Sequence, residues 1–211
     1  MNIIIFSDLH GNLPALERLL KENKNVDKII SLGDNINYGP WGNECVTILN
    51  DIKCYSLMGN HEEYFVDGEY NGKSAIVKSF FNFCYEKFQE FSIIKKYKKT
   101  LKIRNFYLSH TLKNKKIYKD TNIKLFKNHI IGHSHQQFKI SRNNFMLINP
   151  GSLGQDREFI NRSSYIKFNT EKNIFKMESF LYNSDLLINE MVAKKYPKVC
   201  IEYYKSKKKI C

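Results

Sequence analysis

No stretch of this chain approaches the roughly 20 consecutive apolar residues that cross a bilayer. Its opening, Met-Asn-Ile-Ile-Ile-Phe, is too short for the apolar core of a signal peptide, turns acidic at Asp8 and carries no cleavage pattern. Paired cysteine spacing is missing too. The five cysteines, Cys45, Cys54, Cys84, Cys200 and Cys211, are odd in number and scattered, which argues against a disulfide framework and for reduced thiols. These absences predict a cytoplasmic protein with no membrane partner. Linkers, internal repeats and low-complexity blocks are also lacking, so the expectation is a single domain over residues 1–211. Acidic residues are outnumbered, 21 against 34 Lys and Arg, for a net charge of +13. A charge of that size attracts anions, nucleic acid included. The lysines are nevertheless spread over 95–99, 113–119 and 205–209 rather than gathered in one motif. Residues 199–211 read as a solvated basic tail.

What is present suffices for a packed core: 42% hydrophobic and 14% aromatic residues exclude a disordered chain. Residues 3–6 are a continuous β-branched and aromatic run, the mark of a strand buried on both faces. Asn12 then offers a helix cap and Pro14 suits a first turn, ahead of Leu13, Leu16, Leu19 and Leu20 at helical spacing. The pattern repeats as a strand over 26–32, a turn-rich loop over 37–42, a helix over 43–50 and a strand over 52–58. One or two helices are expected over 74–90. Hairpins follow at 101–109, 137–148 and 164–180, with a loop and short helix over 113–127 and a terminal helix over 184–194. The order is thus βα units first and antiparallel hairpins second, an α/β (α+β) chain with mixed sheets.

Ligands of open α/β sheets collect outside the carboxyl ends of the strands. Three successive strands here end in Asp8-Leu9-His10, Gly33-Asp34 and Gly59-Asn60-His61-Glu62. A later strand ends at Ser109-His110, and another, over 129–132, runs into His133-Ser134-His135. On an extended segment, alternate residues project to one side, so His133 and His135 are expected to face one point. Asp8, His10, Asp34, Asn60, His110, His133 and His135, with His61 beside them, are too many donors for one divalent ion. They suit two ions with one carboxylate shared.

Mixed nitrogen and oxygen ligation fits Mn²⁺, Fe, Zn²⁺ or Ni²⁺ rather than Ca²⁺, and the lack of a thiolate argues against a structural zinc site. Two ions about 3.5–4 Å apart serve in-line displacement at phosphorus, with a bridging hydroxide as the nucleophile. His61 is then the candidate general acid for the leaving oxygen, Asn60 before it taking the ligand role; the rival reading is an exposed or supporting histidine.

Taken in order, D-x-H, G-D, G-N-H-[DE], H and G-H-x-H resemble the calcineurin-like metallophosphoesterase superfamily. Tyr38-Gly39-Pro40 and Asn149-Pro150-Gly151-Ser152 are similar to its small, single-domain bacterial and archaeal branch. That resemblance implies an α/β/β/α sandwich. It also implies Asp8, His10 and His135 on one metal, Asn60, His110 and His133 on the other, and Asp34 bridging. The chain departs from the family in reading Gly154-Gln155-Asp156-Arg157 where a proline often precedes the arginine. Arg157 is thereby a phosphate clamp or a surface residue.

The expected activity is hydrolysis of a phosphomonoester or phosphodiester, with a nucleotide or dinucleoside polyphosphate as substrate and Mn²⁺ as the first candidate metal. Asn12, Tyr38, Trp41 and Arg157 are candidate substrate contacts, Tyr38 and Trp41 by stacking a base or by packing their loop. Three other readings remain at this stage: a nuclease acting on single-stranded nucleic acid, motivated by the charge; a protein phosphatase; and a metal-free interaction scaffold.

Overall fold

The computed structural model describes residues 1–210. Strand β1 (Asn2–Phe6) runs into helix α1 (Leu13–Glu22), β2 (Lys28–Ser31) into α2 (Gly42–Asp51) and the short β3 (Tyr55–Ser56) into α3 (Asn60–Asp67). Helices α4 (Ala75–Tyr85) and α5 (Phe91–Ile94) follow, then β4 (Thr100–Ile103), β5 (Phe106–Ser109) and β6 (Asn128–Ile131). The hairpins β7 (Gln137–Arg142) with β8 (Phe145–Pro150) and β9 (Arg162–Asn169) with β10 (Ile174–Leu181) lead to α6 (Ser184–Ala193) and α7 (Lys198–Lys205).

The strands form two five-stranded mixed sheets, ordered β10-β9-β1-β2-β3 and β4-β5-β6-β8-β7. Strand alternation explains why both faces of β1 are apolar. Ile3 and Ile5 meet Ile130 and Ile148 of the second sheet in the central layer, while Ile4 and Phe6 meet Leu16, Leu19 and Leu49 of the helices outside. Asn12 caps α1 by accepting from the Ala15 amide at 3.3 Å. The outer face of the second sheet is covered by the segment 111–127, which lays Ile117 and Leu125 on Ile131, Phe138 and Leu147. No helix forms in that segment, contrary to expectation; its apolar residues fall too sparsely among lysines to make a helical face. Among the described residues no helix is long and apolar enough to cross a membrane.

Parallel pairing aligns the strand ends. Phe6 lies opposite Ser31, and Ser109 opposite Ile131, so the loops after β1, β2, β5 and β6 open on one edge. The strand expected over 52–58 is reduced to two residues, because Lys53 takes a left-handed φ of 56° to close α2 and Leu57 pairs with Lys98 instead.

The C-terminus also differs from the expected solvated tail. Cys200 and Tyr204, one helical turn apart, are buried on α7. Beyond the helix, Lys208 donates its amide to Glu158 O at 2.9 Å and accepts from Ile160 at 2.8 Å. Its lysine-rich outer surface disguises a docked segment. Helix α6 is therefore not the terminal helix.

Candidate metal centre

All seven predicted ligands lie on the common edge of the two sheets. Asp8, His10 and His135 bring donor atoms within 4.8 Å of one another, as do Asp34, His110 and His133. Asp8 Oδ1 lies 3.0 Å from His135 Nε2 and 3.9 Å from His10 Nε2. Asp34 Oδ2 is 3.0 Å from His110 Nε2, which lies 3.2 Å from Asn60 Oδ1 and 3.3 Å from His133 Nδ1.

The backbone holds these groups in a strained form. Asp8, His10, Asp34, His133 and His135 have φ values of 55°, 50°, 56°, 68° and 60°, a region that costs a non-glycine residue about 1–3 kcal/mol. Hydrogen bonds between the loops maintain them: Asp8 N–H to Gly33 O at 3.0 Å, His10 N–H to Asp34 O at 2.9 Å and Gly132 N–H to His110 O at 3.0 Å. The two histidines of the pair therefore do not share a face through strand alternation. Strand β6 ends at Ile131, and a left-handed turn aims them at different clusters. Gly132 is required at that turn by close approach, since a Cβ there would stand 1.9 Å from Ser7 Oγ and 3.0 Å from Asp8 Oδ2. Gly132→Ala is expected to displace Asp8 and reduce bound metal per chain at least tenfold, read by elemental analysis after desalting.

The tautomers can be read from the partners. His10 Nδ1 donates to Ile36 O at 3.2 Å, His110 Nδ1 to Leu32 O at 3.1 Å and His135 Nδ1 to Gln155 O at 2.5 Å. With Nδ1 so engaged, His10 and His135 turn an Nε2 lone pair into the site, whereas His110 Nε2, 3.0 Å from Asp34 Oδ2, carries a proton that a cation there would replace. His10 Nε2 and His135 Nε2 face each other at 3.4 Å, and neither can donate to the other. Asp8 Oδ1 is buried without a hydrogen bond. Acceptors crowded in this way are stable only around positive charge, so the donor set fits metal cations.

The ionisation states agree. Burial would raise Asp8 and Asp34, but His135 and His110 respectively outweigh it and hold both carboxyls below the usual range. Burial pushes His10 and His135 down, and takes His61 and His133 to about 4. His110 differs: burial lowers it, but Asp34 more than offsets this and raises it to about 9. A positive charge belongs between His110 and Asp34.

His61 is buried at the start of α3, its amide donating to Asp34 Oδ1 at 2.9 Å. Asn37, which the sequence reading overlooked, lies behind it. The Tyr38 amide donates to Asn37 Oδ1 at 2.8 Å, which turns Asn37 Nδ2 toward His61 Nδ1, also at 2.8 Å. His61 Nδ1 is thus the acceptor, and the ring proton lies on Nε2, 4.0 Å from Asp34 Oδ2. The signal available for Asn37 was a polar residue three positions beyond Asp34 in a turn-rich loop. Glu62 was read only as part of a motif. It is fully buried and accepts from the amides of Asp34, Asn35 and Gly59 at 2.8, 2.6 and 2.9 Å.

Three of the four predicted substrate contacts are occupied by structural work. Asn12 donates to Gly154 O at 2.8 Å besides capping α1. Tyr38 is 4% exposed, wedged between His10, His61, Phe80 and Tyr203, with no free face for a base. Trp41 packs between two core clusters. Arg157 alone of the four reaches the centre, its Nη2 donating to His135 Nε2 at 3.1 Å.

Residues 1–152 match the calcineurin-like phosphoesterase family. The chain belongs to that family. This phosphoesterase is accordingly a metal-dependent hydrolase of phosphoric ester bonds. It is 32% identical to the uncharacterized protein MJ0912 of Methanocaldococcus jannaschii, over 83% of this chain and 85% of that one. A metallophosphoesterase from Sphaerobacter thermophilus shares the fold at a TM-score of 0.80 and 20% identity, covering 98% of this chain and 99% of the other. Hypothetical protein PH1004 from Pyrococcus horikoshii does so at 0.84 and 13%, covering 99% of each chain. The sandwich of mixed sheets and helices expected from the motifs is thus the fold observed.

Beside Asn60, His110 and His133 the phosphoesterase has a groove of about 550 Å³, lined by Tyr64, Thr100, Thr111 and Asn114. Its one acid, Glu63, is paired with Lys99 at 2.8 Å, so the lining is polar and close to neutral. A larger hollow of about 680 Å³ lies at the opposite edge of β1, lined by Lys21, Lys24 and Lys167, and none of the candidate ligands reaches it.

Proposed function

We propose that the centre holds two divalent transition-metal ions, one with Asp8, His10 and His135 and one with Asn60, His110 and His133, Asp34 lying between them. Mn²⁺ suits the mixed nitrogen and oxygen donors, as do Fe, Zn²⁺ and Ni²⁺. The observation that carries the reading is the convergence of the Nε2 atoms of His10, His110 and His135 on one another and on two carboxylates. Bound there, the ions supply a water nucleophile at neutral pH and offset charge on the phosphoryl oxygens.

The chain's own part is to position and to donate. Burial keeps His61 neutral at pH 7, and Asn37 keeps its proton on Nε2, on the side of Asp34. A neutral His61 stabilises the leaving oxygen by donating a hydrogen bond from Nε2–H; full proton transfer, the general-acid role expected for it, requires the imidazolium form, and from the neutral ring the proton comes from water instead. The neutral groove suits the alcohol part of the ester, and its hydroxyl and amide lining suits a ribose, which favours a nucleotide or dinucleoside polyphosphate as substrate.

Protein loaded with Mn²⁺ is expected to hydrolyse bis-p-nitrophenyl phosphate and diadenosine polyphosphates. Release of nothing from these or from p-nitrophenyl phosphate would defeat the reading. Asn37→Ala frees the His61 ring to change tautomer and is expected to lower kcat about 10–100-fold with metal content unchanged. Equal loss of metal and activity would place Asn37 among structural supports instead.

A further inference from the structure

Arg157 Nη2 donates to His135 Nε2 at 3.1 Å, an acceptor it would lose if His135 held a metal ion. What remains beside it is the Tyr203 hydroxyl: among the described residues no carboxylate lies within 4.0 Å of Arg157, and neighbouring Asp156 is engaged by Arg162 at 2.8 Å. A second cation stands close by. Lys207, delivered by the docked C-terminal arm, donates to Asp156 O at 2.6 Å and lies 4.9 Å from the centroid of the Tyr203 ring. Tyr203 in turn stands 6.0 Å from Tyr38, which touches His10 and His61. Burial and the nearby Arg157 charge push Lys207 down to about 7, and Arg157 acts on Lys116 in the same direction. The Asp156 and Asp8 carboxylates offset the repulsion between these like charges only in part, and an anion between them relieves the rest.

Resting on the phosphoesterase reading above, we infer that Arg157 and Lys207 form a subsite for a second phosphate group of the substrate, so that the C-terminal arm selects organic di- and polyphosphates over monophosphates. Arg157 offers the planar donor fork that phosphate oxygens accept, and Lys207 the point charge behind it. The pairing of 206–210 with the segment 156–161 fixes the two together, since Asn161 and Ile210 exchange hydrogen bonds at 2.9 and 3.0 Å.

The test is calorimetric binding of AMP and of α,β-methylene-ADP to the Mn²⁺-loaded full chain, with unfolding temperatures measured in parallel. Wild type is expected to bind the diphosphonate at least tenfold more tightly than AMP. Lys207→Gln is expected to remove most of that ratio and Lys207→Arg to keep it. Lys209→Gln, which alters an exposed pair with Asp185 on the same arm, serves as the control expected to leave activity unchanged. Equal affinities in the wild type, or a ratio unmoved by Lys207→Gln at whatever cost in stability, would overturn the inference. A protein that turns over bis-p-nitrophenyl phosphate yet shows either result refutes the subsite alone. One that hydrolyses no ester refutes the phosphoesterase reading.

Discussion

Asp34→Asn is expected to lower kcat toward bis-p-nitrophenyl phosphate by about 10³-fold, with the unfolding temperature of the metal-free protein changed by only a few degrees. Asp34 is the carboxylate that faces both halves of the centre. Oδ2 lies 3.0 Å from His110 Nε2 and 4.0 Å from His61 Nε2, while Oδ1 accepts the His61 amide. Asparagine preserves the shape and the Oδ1 acceptor but removes the negative charge and aims a donor where a cation is required. Several kcal/mol of charge stabilisation depend on the cations held there, and each 1.36 kcal/mol is about tenfold in rate. Activity within tenfold of wild type would show that Asp34 does not join two ions.

Glu62→Ala is expected to be the most destabilising of these substitutions, by about 3–5 kcal/mol. In a chain of this length that corresponds to roughly 10 °C in unfolding temperature. The carboxylate is fully buried and takes three backbone amides that have no other acceptor, two from the loop after β2 and one from the cap of α3. It ties the Asp34 loop to Asn60 and His61. Its own ionisation is opposed: burial and the charge of Asp34 raise it to about 7, against the amides that favour the carboxylate. Removing the side chain leaves three donors unpaired in the interior, the costly direction of the exchange. Glu63→Ala one position on loses an exposed pair with Lys99 and is expected to change stability by no more than about 0.5 kcal/mol. Thermal melts of the two variants make the comparison, and similar losses in both would contradict the account.

The strand ends were legible in the sequence because each combined a β-branched run with an abrupt polar stop, as at Phe6-Ser7-Asp8 and Leu32-Gly33-Asp34. That punctuation carried the ligand positions with it. What escaped was set by contacts between distant segments. Asn37 matters because the Tyr38 amide fixes its side chain toward His61, a contact 24 residues away in sequence. The histidine pair converges through left-handed turn geometry that Gly132 and Ser7 jointly permit, where local spacing suggested an extended strand. At the C-terminus the apolar face of α7 is Cys200 and Tyr204 with Ile201 and Tyr203 packed beside them, four positions run directly into Lys205 and Lys207–Lys209. Composition therefore read as a tail, although Lys207 reaches the loop of Arg157.

The central claim is a two-ion centre, and the most direct measurement is the metal content of the wild-type protein after loading with Mn²⁺ and desalting, set beside Asp34→Ala treated in the same way. The account predicts two ions per wild-type chain and loss of at least one on removal of the Asp34 carboxylate. One ion or fewer in the wild type, or a count that Asp34→Ala leaves unchanged, would contradict it.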